Sequence, residues 1–260
     1  MTGAPLLVDV RDAVATVTLN RPDELNAIDD AMRVAFTELA ERLPFDDAIR
    51  VVVITGTGRA FSAGGDVSHF EREWNTARFR AQSRALSRFL DELEALEKPV
   101  IAALNGVATG AGLQLALACD LRFAASGAKL GFREHRLGLV PGHGGATRLV
   151  KLVGLSRAKE LYFAGELVDA EEARRIGLVH RVVPGEALLD EAVSAARKLS
   201  ERAPAALGLA KRLLNHAAHA DVPSGIEMES LAQSVALKTA DHREGVAAFR
   251  EKRDPRFRGE

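Results

Sequence analysis

The chain has one cysteine, Cys119, in 260 residues. That excludes an internal disulfide framework and a metal site built from several thiolates. Its seven histidines are scattered, without the spacing that sets two or three on one ion, so no metal site is expected. An excess of one charge is also absent. The 35 Lys and Arg against 36 Asp and Glu leave a formal net charge of -1, so no global field favours nucleic acid or an anionic membrane as a partner. No uninterrupted apolar run reaches membrane-spanning length. Residues 1–10 lack the basic segment and apolar core of a signal peptide, and the expected location is cytoplasmic. No Ser/His/Asp set stands at a recognisable spacing. Ser62 lacks the glycine two residues earlier that a nucleophile elbow requires. Low-complexity segments are missing as well.

What remains is an ordinary globular composition, 47% hydrophobic and 27% charged, on a chain long enough for a substantial core. Strands are expected at residues 14–19, 51–55, 100–104 and 121–125, with a short one at 179–183. A helical pattern follows Asp29-Asp30 through Met32, Phe36, Leu39 and Leu43. A polar, charged stretch, 69–88, runs into a helix ending near Leu96, where Lys98-Pro99 stops it. Residues 147–164, 169–177, 186–216 and 225–249 read as helical. Strands alternating with helices define an α/β core over residues 1–195, and residues 196–260 form a helical C-terminal region.

Two glycine-rich turns follow buried strands. In the first, Phe61-Ser62-Ala63-Gly64-Gly65-Asp66, small residues let backbone amides approach a ligand. In the second, Gly110-Ala111-Gly112 opens a helix continuing Leu113-Gln114-Leu115-Ala116-Leu117-Ala118, apolar on nearly every side. Such a helix must be buried, and its first amides have no partner within it. Those amides, with the positive end of the helix dipole behind them, suit an anion or a developing oxyanion. Two ordinary strand-to-helix turns account for the spacing equally well. Cys119, at the end of this helix, reads as a buried inert thiol.

The acid–base inventory is short. Glu134 lies beside the glycine-rich segment 138–145, although an Arg-paired or solvated loop carboxylate is the plainer reading of it alone. His143 stands inside that segment, where a turn cap or a role in the site are the alternatives. His135 adjoins Glu134 and is expected to point away.

These residues resemble a known pattern. Leu19-Asn20-Arg21-Pro22 with Leu25-Asn26-Ala27, the 61–66 turn, Lys98-Pro99-Val100-Ile101-Ala102-Ala103-Leu104-Asn105-Gly106, Gly110-Ala111-Gly112, Ala118-Cys119-Asp120 and Leu137-Gly138-Leu139-Val140-Pro141-Gly142 occur in order. With residues 170–184, Glu244-Gly245 and Ala248-Phe249, they make the chain similar to the crotonase superfamily, the enoyl-CoA hydratase/isomerase enzymes, over essentially its whole length. The resemblance implies a crotonase-type spiral of repeated β-β-α units with a C-terminal helical region. It implies a core that binds acyl-CoA, and C-terminal helices that cover the pocket and build a homotrimer or hexamer. Leu207, Leu209, Leu213, Leu214 and Phe249 exceed what one surface layer should expose and fit such an interface. Coenzyme A enters as part of the substrate, with no separate cofactor.

By the same resemblance, the amides of Gly65 and Ala111 polarise the thioester carbonyl. Glu24, Leu25, Asn26, Ala63, Gly64, Gly65, Asp66 and Gly110 border the CoA moiety. Asp23-Glu24 stand where the family often has a basic residue, so another group must meet the CoA phosphates. The stretch 69–84 is expected to wall the acyl pocket. Hydratases of the family use two glutamates. Glu134 matches one, but the other position is Gln114, one helical turn from Ala111 on the same face. An amide cannot serve as a base at neutral pH. The expectation is therefore double-bond isomerisation with Glu134 as single proton shuttle. Hydration and acyl-CoA binding without efficient catalysis are the alternatives.

Overall fold

Strands in this chain alternate between two sheets. The computed structural model describes residues 3–260, so Met1 and Thr2 lie outside the described residues. β1 (Leu6–Arg11) and β2 (Val14–Leu19) form an antiparallel hairpin, joined by Asp12 and Ala13, both at positive φ. This matches the twist of a two-residue hairpin, but with neither Asn nor Gly in the turn the sequence did not announce it. Helix α1 (Asp30–Arg42) follows. Asp29 caps it by accepting from the Met32 amide at 2.8 Å, and it buries Met32, Phe36 and Leu39.

Three turns of chain then repeat one path. β3 (Val51–Gly56), apolar through Ile54 and buried through Thr55, hands over to β4 (Ala60–Ser62), and the chain returns through α2 (Val67–Phe70) and α3 (Thr76–Ala95). β5 (Val100–Leu104) leads to β6 (Val107–Thr109) and α4 (Ala111–Ala118). β7 (Leu121–Ala125) leads to β8 (Lys129–Gly131), then α5 (Gly145–Val153) and α6 (Leu155–Ala164). β9 (Val168–Asp169), α7 (Ala170–Arg175), β10 (Arg181–Val183) and α8 (Leu188–Ser200) complete the spiral. The large sheet has the order β1-β2-β3-β5-β7-β10 and the small one β4-β6-β8-β9. The chain is thus the α/β spiral of β-β-α units that its motifs implied.

The small sheet decides where the site lies. β4, β6 and β8 are parallel neighbours, with Ser62 paired to Ala108 and Thr109 to Gly131. Their C-terminal ends therefore stand side by side, and ligand sites in parallel sheets form beyond such ends. The segments leaving them are residues 63–66, Gly110-Ala111 and 132–134.

Several expected boundaries shift. The helix expected at 147–164 is two helices, broken at Gly154, whose φ of +77° ends α5. The helix expected at 186–216 is α8 and α9 (Pro204–Ala217), separated where Pro204 starts a new first turn. The stretch 69–88 is already helical from Thr76, because the Asn75 side chain accepts from the Ala77 amide at 2.9 Å. The boundary drawn at residue 195 falls inside α8, which buries Leu188, Ala192 and Ala196. The last helices are α10 (Val222–Ala236) and α11 (Ala240–Glu251). Lys211 ties α9 to the core, 2.8 Å from the Asp120 carboxylate and donating to the Leu93 carbonyl at 2.8 Å. Among the described residues no helix is long and apolar enough to cross a membrane.

Candidate active site

Helix α4 is satisfied at one end and open at the other. At its C-terminus the buried Arg122 guanidinium donates to the carbonyls of Cys119 at 2.7 Å and Ala116 at 3.3 Å. The neighbouring Cys119 thiol is buried and pushed up to about 12 by that burial, so it stays protonated. At the N-terminus Gly110 takes φ +54° and provides no side-chain cap. The Ala111 amide donates to no group among the described residues and borders a cavity of about 270 Å³.

The Gly65 amide reaches the same cavity by a different route. Residues 25–28 run alongside 63–66 as a short parallel ladder. The Ala63 amide donates to Leu25 O at 2.9 Å, Ile28 to Gly64 O at 2.7 Å, and Asp66 to Ile28 O at 3.2 Å. Alternation along an extended strand turns the Gly65 amide to the opposite side, toward the cavity it lines. Gly64, at φ +100°, lets the two turns meet: a Cβ there would stand 2.9 Å from Thr109 O and 3.2 Å from the Ala111 nitrogen. Two unpaired amides from separate turns thus line one cavity.

Glu134 opens the short turn after β8. A Cβ on Gly110 would lie 3.7 Å from Glu134 Oε1, which sets the carboxylate against the start of α4. Gln114 Nε2 donates to Glu134 Oε1 at 3.0 Å. Glu134 Oε2, Gln114 Oε1 and Thr109 Oγ1 are buried with no partner among the described residues. Burial raises the Glu134 pKa above the usual carboxylate range, against the opposing pull of the Gln114 hydrogen bond. A carboxylate of that kind holds a proton more readily than a solvated one and can return it.

The remaining expected residues separate into two groups. Ala63, Gly65, Gly110, Ala111, Gln114 and Glu134 line the cavity together. Asn26 does not offer its side chain: it is buried, donates to Thr57 O at 2.9 Å and Ala60 O at 2.8 Å, and accepts from the Arg21 amide. Asp66 caps α2 through the Ser68 hydroxyl and amide and binds Arg21 at 3.1 Å, contacts that hold its carboxyl below the usual range. Leu25 and Asn26 are both left-handed, at φ +52° and +55°, and Glu24 is exposed beside them. His135 is exposed and packs edge-on to Tyr162, away from the cavity. His143 lines it, with Nδ1 3.0 Å from Ser87 Oγ, and burial brings its pKa down to about 4. His143 is therefore neutral at pH 7.

Phe70 and Phe79 fall in the stretch expected to wall the pocket, as do His69 and Ser83, but the cavity residues Arg33, Thr109 and Arg133 do not belong to any expected part of the site. Arg33 lies next to Met32 and three residues before Phe36, on the buried face of α1. An arginine where the helical period asks for an apolar residue was the available signal.

The ends of the small sheet in this β-β-α spiral thus bring two free amides and one raised carboxylate to one cavity, the kinds of group that oxyanion stabilisation and proton transfer require. Residues 9–260 match the family model described as enoyl-CoA hydratase/isomerase. The chain is 38% identical over 249 residues to the short-chain-enoyl-CoA hydratase of Clostridium acetobutylicum, with 95% of each covered. It is 38% identical over 258 residues to the 1,2-epoxyphenylacetyl-CoA isomerase of Escherichia coli, with 98% of each covered. The crystal structure of an enoyl-CoA hydratase from Bacillus anthracis matches with a TM-score of 0.94 at 37% identity, covering 98% of this chain and 100% of that one. The chain belongs to the enoyl-CoA hydratase/isomerase family and is a crotonase-type enzyme.

Proposed function

We propose that this enzyme moves a carbon–carbon double bond along an enoyl-CoA thioester, with Glu134 as its one proton shuttle. The observation that carries this reading is the pair on the cavity floor. Among the described residues the only carboxylate lining the cavity is Glu134, and its neighbour on α4 is the neutral Gln114, donating to it at 3.0 Å. In the proposed reaction the thioester oxygen accepts from the Gly65 and Ala111 amides. The Glu134 carboxylate takes a proton from the carbon next to the thioester in a 3-enoyl-CoA. The electron pair of that C–H bond spreads into a dienolate whose negative oxygen the two amides hold. Glu134 then returns the proton to the far carbon of the conjugated system. The double bond has moved and the carboxylate is regenerated, with nothing gained or lost. CoA enters with the substrate, and no cofactor is invoked.

Hydration is the second reading. It is supported by the buried acceptors Gln114 Oε1 and Thr109 Oγ1, which could orient a water, and by the hydratase name of the Clostridium relative. Incubation with a 2-enoyl-CoA and a 3-enoyl-CoA, following water addition and double-bond migration separately, distinguishes the two. Migration outrunning hydration is expected. Rapid hydration with negligible migration would overturn the assignment, and binding without either reaction would leave an acyl-CoA-binding protein.

Assembly belongs to the same proposal. Helix α10 buries no residue and exposes Val222, Ile226, Leu231 and Val235, and Phe249 on α11 is 86% exposed. Apolar surface of that extent suits an interface between copies of the chain, a homotrimer or a hexamer.

A further inference from the structure

The cavity has a cation that the reaction above does not use. Arg33 lines it from α1, with only 7% of its surface exposed. Its Nε is buried with no partner, and its guanidinium enters no hydrogen bond or ion pair among the described residues. The neighbouring carboxylates are engaged elsewhere. Asp30 accepts from Arg72 at 2.6 Å and Gln82 at 3.1 Å, with His69 at 3.5 Å. Asp29 caps α1 and lies 3.4 Å from Arg21, and Asp66 is held by Arg21 and Ser68.

A guanidinium stays protonated even when burial lowers its pKa, so this charge cannot be shed as a lysine's or histidine's can. A buried charge without a hydrogen-bonded partner is costly, and a fold that keeps one leaves its donors free for something else. Of the polar groups that share the cavity wall, His143 is uncharged at pH 7 and Ser83 adds a hydroxyl, so neither supplies a counter-charge; Arg133 adds a second cation to the lining. The cavity, about 270 Å³, is small beside typical ligand pockets of about 300–1,000 Å³, so a short acyl chain fits it better than a long one.

We propose that Arg33 receives a carboxylate at the far end of the acyl group, so that the preferred substrates are short CoA thioesters of dicarboxylic acids. Arg33 is then a specificity residue in the site assigned above, and the proposal rests on that site binding CoA thioesters. A planar fork of donors matches a carboxylate in two parallel hydrogen bonds, and a substrate ending in a methyl group would leave those donors unpaired.

The test uses saturated thioesters of equal chain length, glutaryl-CoA and pentanoyl-CoA, titrated calorimetrically into the wild-type protein. Both contain the same CoA phosphates, and neither can react as an enoyl-CoA. Wild-type protein is expected to bind glutaryl-CoA about tenfold or more tightly than pentanoyl-CoA, the scale of a hydrogen bond to a charged group. Arg33→Met is expected to abolish that preference, and Arg33→Lys to keep part of it, since lysine retains the charge without the fork. The melting temperature of ligand-free Arg33→Met should match or exceed that of wild type, because an unpartnered buried charge has gone. Equal wild-type affinities overturn the proposal without any variant. So does an Arg33→Met loss that is the same for both thioesters, which would put Arg33 on the CoA phosphates. If neither thioester binds, the CoA-site reading itself fails.

Discussion

Glu134 has one oxygen held and one free, and both matter to its chemistry. Oε1 accepts from Gln114 at 3.0 Å, and Oε2 is buried without a partner among the described residues. Glu134→Gln should therefore lower turnover by about two to four powers of ten while leaving acyl-CoA affinity largely intact; steady-state rates and a calorimetric titration check the two halves. Because burial raises this carboxyl's pKa, the acid limb of the pH–rate profile should lie above the usual carboxylate range, activity rising with pH as the base form appears. The stability effect has the opposite sign. A raised carboxyl pKa penalises the folded state at pH values above it, so Glu134→Gln should raise the melting temperature at pH 7, and the gain should vanish as the pH falls below the folded pKa. His143 has its pKa depressed from 6.5 to about 4 by burial. The unfolded chain then binds the extra proton between those values, so this residue costs stability progressively as the pH falls from 6.5 towards 4. A conservative His143→Gln variant should show a shallower loss of melting temperature across that window.

At the scale of elements, the site is made by the ends of three strands of three residues each that no periodicity argument could find. β2 was legible by its strand-like alternation, and β3, β5 and α4 as apolar stretches, because burial on every side leaves that mark on composition. β4, β6, β8 and β9 are too short to show alternation, and their expectation came from motif resemblance alone. Both glycine turns were legible, but that they abut, with Gly64 at φ +100° against Thr109 and Ala111, is a property of the small sheet. Arg33 is masked in the sequence, because its neighbours Met32 and Phe36 set the helical period and one charged residue on that face leaves it intact. Gly64→Ala should push the two turns apart and misplace one amide donor, lowering turnover by about two to three powers of ten, the usual loss for one oxyanion donor. Gln114→Glu restores a second carboxylate on the face of α4 beside Glu134. It should increase hydration of a 2-enoyl-CoA relative to isomerisation, since one of two close carboxyls then keeps its proton and the other can activate water.

For the whole molecule, the spiral spends its interior on the core and the cavity and leaves its C-terminal helices as an apolar surface. Leu214 and Phe249, expected at an interface, are 73% and 86% exposed in the single chain, whereas Leu207, Leu209 and Leu213 are half-buried against it. Light scattering at micromolar concentration should give three or six times the chain mass of 27.9 kDa, and a monomer would contradict the proposed assembly. The central claim concerns the reaction, and the conversion of a 3-enoyl-CoA measured with protein in excess over substrate tests it most directly. Absorbance of the conjugated thioester reports migration, and chromatography of the quenched mixture reports any 3-hydroxyacyl-CoA. Wild-type protein should form the 2-enoyl-CoA ahead of any hydroxyacyl product, and Glu134→Gln should be slower by about two to four powers of ten. Hydroxyacyl-CoA formed as fast as the double bond moves, or an undiminished rate in Glu134→Gln, would contradict a single proton shuttle at Glu134.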